Sequence, residues 1–144
     1  MTSSSRASAG LGQSNLGLTS RQLGDDVIVI DVTGELDMAT AVGLHAYLVE
    51  KTAARPAHVV LALRGVTFFA SSGLNLLVAA HKGEGGIHGE LHLTGVTANR
   101  VVKRVLDVTG LTAVFDIHDN EDELLSELTA REGVEQQRDH SATP

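Results

Sequence analysis

Residues 58–82 read HVVLALRGVTFFASSGLNLLVAAHK, and the fold is decided here. The first six residues form a continuous apolar run rather than an alternating one, the pattern of a central parallel strand covered on both faces. Gly65 turns the chain into VTFFASSG, and GLNLLVAAHK at 73–82 predicts a helix with Gly83 as its C-terminal cap. The strand therefore hands the chain to the helix through two hydroxyls, Ser71 and Ser72. A serine at such a junction caps the helix by accepting a hydrogen bond from a first-turn N–H. That accounts for one serine; two in succession also mark a candidate site.

Upstream, LGLTSRQ at 16–22 is a weak strand, GDD at 24–26 a turn, and VIVIDV at 27–32 a strong β-branched strand. After TGELD, residues 40–52 predict a helix that buries Val42, Ala46, Leu48 and Val49. Arg55-Pro56 stops it, because a residue before proline resists the helical region. Downstream, GEGGIHGE is a turn into the strand LHLT. A third helix spans 98–109, with Thr97 as N-cap and Val101, Val105, Leu106 and Val108 to bury. Gly110 supplies a left-handed stop, and Leu111 packs back on Leu106. AVFDI at 113–117 is a last strand, and Asn120 with Glu123 opens a final helix buried through Leu124, Leu125 and Leu128.

Strands alternating with helices predict an α/β domain: a small, mostly parallel sheet with right-handed crossovers and an N-terminal hairpin at one edge. The expected divisions are a disordered N-terminal arm at 1–15, the domain at 16–130, and a disordered C-terminal tail at 131–144.

Composition narrows the function. With no cysteine among 144 residues, disulfides, thiolate chemistry and cysteine-ligated zinc are excluded. The net charge is −7 and the 11 basic residues are scattered, so nucleic acid is not an expected partner. At 3% aromatic content there is no stacking platform for bases either. The opening MTSSSRASAGLGQSN lacks the apolar core of a secretory signal, and VVLAL at 59–63 is too short to span a bilayer. A cytoplasmic protein without a membrane partner is expected.

Each chemical motif has a plainer competitor. A nucleophile elbow needs G-x-S-x-G, but Phe69 and Ala70 precede Ser71, so no enzyme is expected. GEGG at 83–86 leads to a strand rather than to a helix opening with GK[ST], so it reads as a turn, not a phosphate loop. His81, His88 and His92 share one region without HEXXH spacing or a completing carboxylate, and no metal is expected. DIHDNEDE at 116–123 lacks the central glycine of a calcium loop. What remains is a modification site at Ser71 or Ser72. A phosphate adds about −1.5 to −2 charges, which a helix N-terminus tolerates and a protein interface does not. On local chemistry alone, N-capping is the simpler reading.

Three segments in order, VTGELDMATA at 32–41, VVLALRGVTFFASSGLNLLVAAHK at 59–82 and LTGVTANRVVKRVLDVTGL at 93–111, resemble the STAS domain of bacterial anti-sigma factor antagonists. The resemblance runs from about residue 16 to 128 and implies a small sheet with helices largely on one face. It implies a non-enzymatic regulator that binds an anti-sigma factor with serine kinase activity and so frees a sigma factor. Phosphorylation of a serine at the start of the second helix ends that binding, and a serine phosphatase restores it. ATP belongs to the partner; no cofactor is implied for this chain. The phosphorylated position maps to Ser71, with Ser72 as the alternative, and the partner surface to Asp37, Ser71, Ser72, Gly73, Leu74 and Asn75. The chain departs from the family pattern at Ala70, where aspartate is usual, at Ala62, where aspartate or asparagine is common, and at Asn75, where a small residue is frequent. Ala70 keeps a second reading open: a STAS scaffold or signalling-assembly module that is never phosphorylated.

Overall fold

The structure is a computed structural model that describes residues 15–130; the expected arm and tail otherwise lie outside the described residues. The chain forms β1 (Leu16–Leu23), β2 (Val27–Leu36), α1 (Met38–Lys51), β3 (His58–Phe69), α2 (Ser71–His81), β4 (Glu90–Thr94), α3 (Arg100–Thr109), a 3-10 turn (Leu111–Ala113) and β5 (Ile117–His118). Residues 121–130 are helical and form α4. The sheet runs β1-β2-β3-β4-β5, antiparallel for the first pair and parallel thereafter.

Sheet order equal to chain order fixes where the helices go. Three right-handed crossovers that all step the same way must lay α1, α2 and α3 on the same face. That face carries the main core, with Ile28, Ile30, Leu61, Leu63 and Leu93 from the strands against Leu44, Leu48, Leu77, Val102 and Leu106 from the helices. The other face holds a smaller core, in which Leu124 and Leu128 of α4 cover Val27, Val29 and Val60. β3 is thus buried on both sides, as its unbroken apolar run predicts, and the α/β architecture with an N-terminal hairpin is as expected.

Several details differ from the sequence reading. α1 starts at Met38 and buries Ala41, Leu44 and Leu48, leaving Val42 70% exposed and Ala46 at the surface. It ends at Lys51, one residue short of the expected 52, with Thr52 as C-cap; the Thr52 hydroxyl donates to Leu48 O at 2.7 Å. The N-cap of α3 is Asn99, not Thr97, which donates its hydroxyl to Asp119 instead. Val101 and Val108 are exposed, and Val102 and Leu106 are the buried pair. Gly110 does adopt the left-handed conformation, φ 76°, and Leu111 packs on the core that contains Leu106. The chain then tightens into the 3-10 turn, so β5 is reduced to two residues. Asn120 starts α4 as predicted, its Oδ1 accepting from the Glu123 N–H at 3.0 Å.

Candidate functional site

The site is built where β2 and β3 end together. Leu36 pairs with Phe69 as the last step of their parallel register, and the Ala70 N–H donates to Leu36 O at 2.9 Å. The next residue in each strand, Asp37 or Ala70, is the N-cap of a helix, so the N-termini of α1 and α2 lie side by side. Gly73 makes this packing possible. A Cβ there would lie 2.8 Å from both Cγ and Cδ2 of Leu36, which has no accessible surface.

The two helix starts are finished differently. Asp37 caps α1 in a reciprocal box: the Thr40 N–H donates to Asp37 Oδ1 at 2.9 Å, and the Asp37 N–H donates to Thr40 Oγ1 at 2.9 Å. The Thr40 backbone N–H, with further bonds from its hydroxyl and from the Ala39 N–H, holds the Asp37 carboxyl below its ordinary range despite some desolvation. α2 has Ala70 at its N-cap, and no side chain caps it. Ser71 is therefore the first helical residue rather than the cap, which corrects the N-capping reading for both serines.

Exposure separates the predicted residues. Ser71 and Asn75 are exposed, Ser72 is half-buried, Leu74 is half-buried against the core, and Gly73 is buried. Asp37 is half-buried beside them. Around the junction stand three apolar side chains that the sequence reading missed: Met38 (77% exposed), Val42 (70%) and Phe68 (50%). Met38 and Val42 are one helical turn apart, a spacing readable in sequence once the start of α1 is known. Ala62 is distant from this junction. It shares the row Asp31–Ala62–Thr94 and lines a cleft with Glu121 on the α4 side of the sheet, so the departure there leaves the serine site untouched.

The histidines singled out in the sequence do not converge. His81 is exposed and meets Phe115 edge-on, and the backbone N–H of His88 donates to Thr52 Oγ1. His92 is buried at 2% exposure, among His58, Glu90, Asp116 and His118, residues that spacing along the chain does not connect. Burial opposes ionisation of Asp116, but hydrogen bonds from His118 and His92 outweigh it and hold the carboxyl below its usual range.

A sheet threaded in chain order, three helices on one face, and a bare hydroxyl at the start of the second crossover helix define the class. Residues 21–124 match the STAS domain, and the chain belongs to that family. Its relatives include the anti-sigma F factor antagonist of Paenibacillus polymyxa, 34% identical over 103 residues, covering 71% of this chain and 86% of the relative. An anti-sigma factor antagonist from Mycobacterium paratuberculosis is a similar solved structure, with TM-score 0.67, 27% identity, and coverage of 78% of this chain and 92% of that one. The Bacillus cell fate determinant SpoIIAA in its phosphorylated form shares the fold, with TM-score 0.58, 17% identity and coverage of 78% and 99%. Among the described residues, no helix is long and apolar enough to cross a membrane.

Proposed function

We propose that this chain is an anti-sigma factor antagonist that works by partner switching. In its unmodified form it binds an anti-sigma factor with serine kinase activity and releases a sigma factor. Phosphorylation of Ser71 ends the binding, and a serine phosphatase restores it. The chain is not an enzyme in this scheme; ATP is bound by the kinase.

The observation that carries the reading is Ser71 itself, an exposed hydroxyl on the first residue of a helix whose N-terminus no side chain caps. Backbone N–H groups and the helix dipole at that position stabilise an added phosphate, so the domain keeps its fold. The partner sees the change differently. Met38, Val42 and Phe68 supply apolar contact area beside Asp37, and a docking surface that covers Ser71 must strip water from two new charges. One modification thus spares the domain and breaks the complex. Half-buried Ser72 is less accessible to a kinase, which favours Ser71 of the two.

Ala70 supports the second reading. It leaves no carboxylate immediately before the serine, and a kinase that needs one would pass this site over. The chain would then act as an unphosphorylated STAS scaffold or signalling module.

The experiment incubates the protein with ATP and each anti-sigma-type serine kinase of the source organism, maps the product by mass spectrometry, and uses Ser71→Ala as control. Label on Ser71 with loss of the complex is expected, and Ser71→Glu should fold normally yet fail to bind. Stable complexes without label would mean that Ala70 marks an antagonist freed from the phosphoswitch. Neither label nor complex with any kinase would refute the antagonist reading.

A further inference from the structure

A second cluster lies on the sheet face opposite α1–α3. His58 pairs with Glu90, and Val60 with His92, across the parallel β3–β4 ladder. Residues two apart on a strand point to one side, so Glu90 and His92 share the face of Val60, and His58 joins them from the start of β3. His58 Nδ1 lies 3.0 Å from His92 Nε2 and 3.4 Å from Glu90 Oε1, and His92 Nε2 lies 3.9 Å from Glu90 Oε1. Tetrahedral zinc with bonds of about 2.0–2.1 Å holds its ligand atoms about 3.3–3.4 Å apart, a spacing that the three separations here bracket, so shifts of about half an ångström bring the atoms to one face of such a site.

The fourth partner decides how His92 is oriented. Its Nδ1 faces the Asp116 carboxylate, which only accepts hydrogen bonds, so the ring proton sits on Nδ1 and the Nε2 lone pair points at His58 and Glu90. A carboxylate behind a histidine, fixing its tautomer, is the support that metal-ligating imidazoles use. The same oxygen, Asp116 Oδ2, also accepts from His118 Nε2 at 2.8 Å. We infer that His58, Glu90 and His92 form a binding site for a divalent transition-metal ion of the zinc class, with Asp116 as its positioning residue. Two imidazoles with one carboxylate select such an ion over magnesium or calcium, which take oxygen ligands. The Glu90 side chain, 61% exposed, gives the ion a path from solvent, and three protein ligands leave a fourth position for water or for a donor from another molecule. His92, Asp116 and His118 form a competing set, also within ligand distance of one another, but there Asp116 Oδ2 already accepts from both His92 Nδ1 and His118 Nε2, whereas Glu90 Oε1 faces His58 Nδ1 at 3.4 Å and His92 Nε2 at 3.9 Å.

The test is a calorimetric titration of the untagged, chelator-treated full chain with zinc chloride, alongside magnesium chloride. One zinc per chain and no magnesium binding are expected. Glu90→Gln and His58→Gln replace accessible or half-buried ligands with neutral groups of similar size, and each should weaken zinc binding at least tenfold while circular dichroism stays native. Asp116→Asn should weaken it about 10–100-fold, and the ring 15N shifts of His92 should lose the Nδ1–H tautomer, a signature that lost packing alone would not produce. His118→Gln, which removes a bond to Asp116 but none to a proposed ligand, should weaken binding less than Asp116→Asn does. Absence of zinc binding, binding indifferent to Glu90→Gln and His58→Gln, or loss with His118→Gln would each overturn the assignment.

Discussion

Asn99 gives the sharpest test of how the fold is held. Its Oδ1 accepts from the Val101 and Val102 N–H groups, capping α3, while its Nδ2 donates to the carbonyls of Leu63 at 2.9 Å, Val66 at 2.8 Å and Arg64 at 3.2 Å. These carbonyls belong to the part of β3 where the register against β2 slips, just before the strand delivers Ser71. Asn99→Ala removes a cap worth about 1 kcal/mol and strips the two buried carbonyls, those of Leu63 and Val66, at about 1 kcal/mol each, for a total of about 3 kcal/mol. With an m-value of about 1.5 kcal/mol per molar urea, the unfolding midpoint should fall by about 2 M. Asn99→Asp separates the two roles. A carboxylate caps as well as an amide, so a residue that only caps would tolerate it. Here the carboxylate would face three carbonyl oxygens, and the variant should be at least as unstable as Asn99→Ala. Urea unfolding followed by circular dichroism decides: Asn99→Asp within about 0.5 kcal/mol of wild type would refute the bridging role and leave a plain cap.

Gly73→Ala should destabilise by about 1–2 kcal/mol, because overpacking against Leu36 and Phe69 exceeds the helix-propensity gain of about 1 kcal/mol; a raised urea midpoint would contradict the close approach. Asp37→Asn keeps a capping acceptor but removes the charge. The folded-state pKa of Asp37 is depressed, so its stabilisation is present above the unfolded carboxylate range and is lost as pH falls through the folded value. The stability difference between wild type and Asp37→Asn should therefore favour wild type at about pH 7 and shrink steadily as the pH falls below the ordinary carboxylate range; unfolding curves with a constant gap on acidification would count against it.

What the sequence made legible was mostly local. The unbroken run at 58–63 identifies the central strand, and the change from β-branched to leucine-rich composition places Ser71 at a helix start without tertiary information. The phase of α1 was not legible in the same way. Apolar residues occupy 41, 42, 44, 46, 47, 48 and 49, so several faces compete, and only packing selects Ala41, Leu44 and Leu48. Thr97 and Asn99 are both good caps; Asn99 prevails because β3 needs a donor that threonine at 97 does not bring to it. AVFDI has strand composition, yet the left-handed Gly110 directs the chain into a 3-10 turn, and only residues 117–118 reach β4. The histidine cluster escaped the sequence reading for a different reason. Residues 58, 90, 92, 116 and 118 meet through strand register, which no spacing along the chain encodes.

The threading of the sheet also bears on how the chain acquires its shape. Each strand pairs with the one made just before it, so the longest loop closed by any new pairing is a single crossover. Threading in chain order keeps each of these closures shorter than in a sheet whose strands pair out of order, which lowers the contact order. During synthesis the β1–β2 hairpin can close before β3 emerges, and each later strand meets an edge already laid down. α4 is the exception. It is the last described element to be made, and it covers Val27 and Val29, which come from the second strand. Until residues 121–130 leave the ribosome, a row of valines on the growing sheet stays bare, and that interval is when the nascent chain is most open to a chaperone or to another copy of itself.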